Sequence, residues 1–292
     1  MVRHPAHPDC GCGGGRGHDV GSPPGGGAEL TGSDDPVLLE VTDGVATVTL
    51  NRPQSRNAIS GALLASLQST MADLGDRDDV AVVVLTGADP AFCAGLDLKE
   101  LSRDSKLLAT GNRDLPPNSP WKPLAKPLIG AVNGVAITGG LELALNCDFL
   151  VASERAAFAD THARVGILPG WGLSVLLPQR VGFAMARRMS FTGDFVDAGR
   201  ALEAGLVTQV VAHDQLMPTV ATLAATIAGN HRPAVTAFHA SYRRIEADTT
   251  ERALEIELET SRSWSRSDQA GGIADRVPGV ISRGRDQAAG RS

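Results

Sequence analysis

Pro127-Leu128-Ile129-Gly130-Ala131-Val132-Asn133-Gly134-Val135-Ala136-Ile137-Thr138-Gly139-Gly140-Leu141-Glu142-Leu143-Ala144-Leu145 is the stretch on which the fold turns. Its first part, Pro127 to Val132, reads as a buried strand. Glycines follow at 134, 139 and 140, and Leu141 to Leu145 begins a helix. Where a glycine turn feeds a helix, the first N–H groups have no partner and carry partial positive charge. A second stretch has the same form. Val80 to Leu85 is a continuous β-branched run of the kind buried on both faces. The turn Ala91-Phe92-Cys93-Ala94-Gly95-Leu96-Asp97-Leu98-Lys99 comes after it. Two such N–H groups aimed at one point make an oxyanion hole.

Outward from these turns, strands alternate with helices, which defines an α/β domain. Val37 to Val41 and Val45 to Leu50 flank Asp43-Gly44, a hairpin signal. Ser60 caps a helix whose apolar residues Leu63, Leu64, Leu67, Met71 and Leu74 follow helical spacing. Phe149 to Ala152 is a further short strand. From Gly182 the pattern is mainly helical, with helices over Gln215 to Gly229, Ala234 to Ala247 and Thr250 to Trp264. Their apolar positions have little core left to cover, which suggests packing against another subunit.

Three regions follow: a tail over 1–36, a core over 37–229, and a helical C-terminal region with a basic tail over 230–292. Ten of the 33 glycines lie between Met1 and Asp34, and such a segment buries too little apolar surface to order itself. Its His4, His7, Cys10, Cys12 and His18 match no structural zinc spacing.

The 292 residues carry 27 Lys+Arg against 33 Asp+Glu, a net charge of −6, and are 42% hydrophobic. That balance argues against nucleic-acid binding and a polybasic membrane surface. No apolar run approaches the roughly 18 residues that span a bilayer, and no secretory leader is expected. Four cysteines, two of them in apolar segments, fit a reducing, cytoplasmic setting. Cys93 and Cys147 read as small buried hydrophobes. P-loop, dinucleotide, nucleophile-elbow and zinc-protease motifs are absent from the sequence.

Taken in order, Val48-Thr49-Leu50-Asn51-Arg52-Pro53, Asn57-Ala58, Phe92 to Leu101, Ala131 to Asp148 and Gly166-Ile167-Leu168-Pro169-Gly170 resemble the crotonase superfamily, the enoyl-CoA hydratase/isomerase proteins. The resemblance runs from about Val37 to Arg285. It implies a spiral of ββα turns with a C-terminal helical trimerisation region, and homotrimers or homohexamers. It also implies an acyl-CoA thioester substrate whose oxygen is held by the backbone N–H groups of Leu96 and Gly139. Asn57, Ala58, Asp97, Leu98 and Lys99 match positions that contact CoA. No metal or redox cofactor is implied, because CoA arrives with the substrate.

Family hydratases hold one water between two glutamates. Glu142 matches the first. The second should stand twenty residues on, at 142 + 20 = 162, where this chain has His162 within Asp160-Thr161-His162-Ala163-Arg164. A related subgroup shares that run. Imidazole is a competent acid or base near neutral pH, so Glu142 and His162 form the candidate acid/base pair of a hydratase. Glu142 alone suits a Δ3,Δ2-enoyl-CoA isomerase, and loss of turnover would leave an acyl-CoA-binding pseudoenzyme. By family position, Trp121 and the stretch Pro116 to Pro127 lie near the acyl pocket, and Asn112 to Ser119 is expected to be mobile.

Overall fold

The computed structural model describes residues 34–103, 115, 119–266 and 273–288. The expectations for the N-terminal tail, for 112–114 and 116–118, and for the last residues of the basic tail lie outside these.

β1 (Val37–Thr42) and β2 (Val45–Leu50) pair antiparallel across a turn in which Asp43 and Gly44 both have positive φ. This is the hairpin that Asp-Gly encodes. α1 (Gly61–Asp76) starts where the Ser60 side chain accepts the N–H of Leu63, and it buries Leu63, Leu64, Leu67, Met71 and Leu74. Three units then repeat one pattern, a strand, a three-residue strand and a helix. They are β3 (Val82–Gly87), β4 (Ala91–Cys93) and α2 (Leu98–Arg103); β5 (Leu128–Val132), β6 (Val135–Ile137) and α3 (Gly139–Leu145); and β7 (Phe149–Ser153), β8 (Ala157–Ala159) and α4 (His162–Val165). The chain continues through α5 (Leu173–Thr192), β9 (Val196–Asp197), α6 (Ala198–Glu203), β10 (Gln209–Val211), α7 (Leu216–Ala228), α8 (Arg232–Ser265) and α9 (Ile273–Ala288).

The first strand of each unit joins a six-stranded sheet of order β1-β2-β3-β5-β7-β10. The second joins a four-stranded sheet of order β4-β6-β8-β9. This is the expected spiral of ββα turns. Pairing within the repeats is parallel, with Val83 opposite Leu128, Ile129 opposite Phe149 and Val135 opposite Ala157. Because side chains alternate across a strand, β3 serves two cores. Val83 and Leu85 face the core that holds α1 and α3, and Val82 and Val84 pack with Leu216, Val220 and Ala224 of α7.

The sequence reading differs from the structure in several places, one of them α9, which takes in 276–288 of the stretch read as a basic tail. The glycine turns do not follow the long strands directly, since β4 and β6 intervene. The two helices expected over 234–264 are one, α8. The C-terminal helices, expected to seek another subunit, also seat on their own chain. Trp264 Nε1 donates to the Gly166 carbonyl at 2.8 Å and Arg276 Nε to that of Val165 at 2.8 Å, at the end of α4. Among the described residues no helix is long and apolar enough to cross a membrane.

Candidate active site

The parallel pair β4–β6 brings the two glycine turns side by side. A side-chain carbon built on Gly95 would lie 2.8 Å from the Ile137 oxygen and 3.6 Å from the Gly139 nitrogen; one built on Gly139 would lie 3.8 Å from the Leu96 nitrogen. Gly95, at φ 88, is therefore the residue that allows this approach. The first turn is pinned by Ile59, whose N–H donates to Gly95 O at 2.8 Å and whose carbonyl accepts from Asp97 N–H at 2.9 Å. Among the described residues the N–H groups of Leu96 and Gly139 have no hydrogen-bond partner. These are the two N–H groups that the family resemblance implies as donors to a thioester oxygen.

Thr138, the residue before Gly139, sits at φ 53 and ψ −112, a conformation that threonine seldom adopts. Two bonds hold it there. Its N–H donates to Ala159 O at 2.8 Å, and its hydroxyl meets that of Thr161 at 2.5 Å. The two threonines thereby tie the start of α3, which carries Glu142, to the start of α4, which carries His162.

Glu142 is 3% exposed and His162 4% exposed. His162 Nε2 lies 3.5 Å from Glu142 Oε2, and Nδ1 lies 2.6 Å from Asp160 Oδ1. Burial alone would lower the imidazole pKa. The hydrogen bond to Asp160 and the facing Glu142 carboxylate outweigh it and raise the value to about 10. Burial acts against the Asp160 carboxylate as well, but its bonds to His162 lower its pKa. His162 is therefore an imidazolium at neutral pH, an acid held between two carboxylates. The other oxygen of Glu142, Oε1, accepts from Trp171 N–H at 2.7 Å and Gly170 N–H at 3.2 Å. The geometry thus sets a buried carboxylate against a buried imidazole, with the paired glycine turns at the start of the same helix α3.

The remaining candidates divide. Asn57 is fully buried, and its amide is engaged with Ala88 O, Ala91 O and Arg52 N–H. It fixes the loop that presents half-buried Ala58. Asp97 pairs with Arg52 at 3.1 Å and accepts from Lys99 N–H at the start of α2. Leu98 is half-buried and Lys99 is exposed. Trp121 is buried in the main core beside Leu124. Trp171 is the tryptophan at the site, its ring 3.6 Å from the position a Gly139 Cβ would take. Burial pushes the Cys93 thiol up to about 12 and raises that of Cys147 too, so both are inert.

Sequence reasoning missed Trp171 and the amides of the 170–171 turn, and Asp160 entered it only as part of the run around His162. Residue spacing encodes none of these contacts.

A two-sheet ββα spiral with paired glycine turns beside a buried carboxylate is the architecture of a crotonase-type protein. The chain belongs to the enoyl-CoA hydratase/isomerase family, whose sequence model matches residues 40–274. It is similar to the crystal structure of enoyl-CoA hydratase from Mycobacterium tuberculosis H37Rv, with 55% identity and TM-score 0.74, over 80% of this chain and 100% of that one. It is 40% identical to the (E)-benzylidenesuccinyl-CoA hydratase of Thauera aromatica over 66% of this chain and 76% of that protein. A monofunctional enoyl CoA isomerase from M. smegmatis is also similar, with 34% identity and TM-score 0.60, over 73% of this chain and 94% of that one.

Proposed function

We propose that this chain is an enoyl-CoA hydratase that adds water across the double bond of a trans-2-enoyl-CoA, with Glu142 as base and His162 as acid. The observation that carries the pairing is the 3.5 Å approach of His162 Nε2 to Glu142 Oε2. Glu142 takes a proton from water as the hydroxyl adds to C3. The electron pair moves to the thioester oxygen, held by the N–H groups of Leu96 and Gly139. His162 then gives its Nε2 proton to C2 and the thioester re-forms. The reaction leaves a neutral imidazole facing a carboxylic acid, and one proton moved from Glu142 to His162 resets the pair. Each oxyanion donor is typically worth about 2.7–4 kcal/mol.

The proposal needs no cofactor, because CoA enters as part of the substrate. Exposed Lys99 is suited to its phosphates. A homotrimer or homohexamer belongs to the same reading, supported by Phe238, Tyr242 and Ile245, which α8 leaves exposed. Cytoplasmic action is proposed with it, in line with two buried thiols.

Hydration of crotonyl-CoA, followed by loss of the enoyl thioester absorbance, tests the reading. Turnover of about 1 s⁻¹ or more is expected. Glu142→Gln and His162→Gln should each lower kcat by about 10²–10⁴-fold while acyl-CoA binding persists. Wild-type rates in His162→Gln would sink the paired mechanism. Turnover of a trans-3-enoyl-CoA without hydration would make the protein an isomerase, and binding without either reaction a pseudoenzyme.

A further inference from the structure

The turn that holds Glu142 is itself held from the far end of the chain. Gly170 and Trp171 give their N–H groups to Glu142, and the next two donors point elsewhere. Gly172 N–H donates to Glu257 Oε1 at 2.8 Å, and Ser174 N–H to Glu257 Oε2 at 2.7 Å. Glu257 lies on α8, 6% exposed. We infer that Glu257 is a positioning residue for Glu142, fixing from α8 the Gly170–Ser174 turn on which the Glu142 carboxylate is aimed. The inference rests on the acid/base role given to Glu142 above.

Three observations support it. First, the N-cap residue of α5 is Gly172, φ 89, which has no side chain with which to cap the helix. Glu257 supplies the missing acceptor from another element. Second, the Glu257 end of the turn borders open space. A cavity of about 540 Å³ opens there, lined by Leu168, Pro169, Val175, Pro178, Phe183 and Ile256, with Glu257 and Ser174 in its wall. Trp171 and Leu173 pack against the main core and Asn146 Nδ2 donates to Trp171 O at 3.0 Å, while the Gly172 and Ser174 N–H groups are fixed by Glu257. Third, the arrangement opposes ordinary preference. Burial, and then the charge of Glu142, push the Glu257 carboxyl above the usual carboxylate range. Only the bonds to the turn and the partial positive charge at the start of α5 offset that.

Glu257→Gln keeps the shape but offers one acceptor, and its amide nitrogen opposes the other N–H. We expect kcat for crotonyl-CoA to fall between about 10- and 100-fold, the scale of a small misplacement of a reacting group, with KM within about threefold. Amide hydrogen exchange should quicken over 168–176 and stay unchanged over 128–132. Glu257→Asp, which retains charge and both acceptors, should recover much of the loss and reports in place of the glutamine variant should that one fail to fold. Wild-type kcat together with wild-type exchange in 168–176 would overturn the inference. A wild-type protein without hydratase activity would refute the reading of Glu142 instead. The exchange measurement would still decide whether Glu257 holds the turn.

Discussion

His162 stands where the family pattern places a second glutamate, and Asp160 and Glu142 make the replacement workable. A glutamate there must be protonated to act as an acid beside Glu142. The imidazolium is already an acid, and its 2.6 Å bond to Asp160 keeps it charged. Asp160→Asn removes that charge, so the alkaline limb of kcat, expected near pH 10 in the wild type, should move to lower pH. A pH–rate profile checks this, and superimposed limbs would exclude His162 as the acid. At this scale the sequence was informative. Glu142, His162, Leu96 and Gly139 were singled out by their places in the family motifs, and the structure sets all four at or beside the starts of helices that follow strands. Glu257 was not legible. In Glu255-Ile256-Glu257-Leu258-Glu259 it is one of several acidic residues on a polar helix, and its partners lie 83–85 residues away.

Among the elements, β1, β2, β3, β5, β7, α1 and α7 were legible, since periodicity needs about five residues to register, whereas α5 was not singled out and most of α9 was read as a basic tail. β4 and β6, of three residues each, were absorbed into turns, yet their pairing is what aligns the oxyanion donors. The break expected near Asp248 does not occur because Asp-Thr-Thr contains neither proline nor glycine, the strong helix breakers. The contact between the start of α3 and β4 is also testable. A side-chain carbon on Gly140 would collide with the Cys93 carbonyl, whereas one on Gly170 meets nothing within 4 Å. Gly140→Ala should therefore cost about 1–3 kcal/mol as an overpacked site. Gly170→Ala should leave the denaturation midpoint nearly unchanged. Equal midpoints in chemical unfolding would mean that α3 can shift away from β4.

Across the whole molecule, the ion triad couples stability to pH. His162 is raised from 6.5 to about 10 in the folded state, so folding favours the protonated form. Its contribution is complete below about pH 6.5 and is lost as pH rises through about 10. Melting temperature should decline across that window. In His162→Gln the part of the decline due to this group should vanish; an unchanged decline would place its cause elsewhere. The spiral itself was recognised from motif order rather than from any repeat in sequence, because its three units share geometry and not residues.

The reach of Glu257 has a consequence for how the protein comes into being. Both sheets and both oxyanion donors are built from residues that precede α8, and a growing chain can assemble them early. The carboxylate that holds the Gly170–Ser174 turn arrives later, with α8. A nascent chain halted before Glu257 would have its strands paired and its glycine turns side by side, and still lack the contact that aims Glu142. On the role proposed for Glu257, full activity in this protein comes only after α8 has docked.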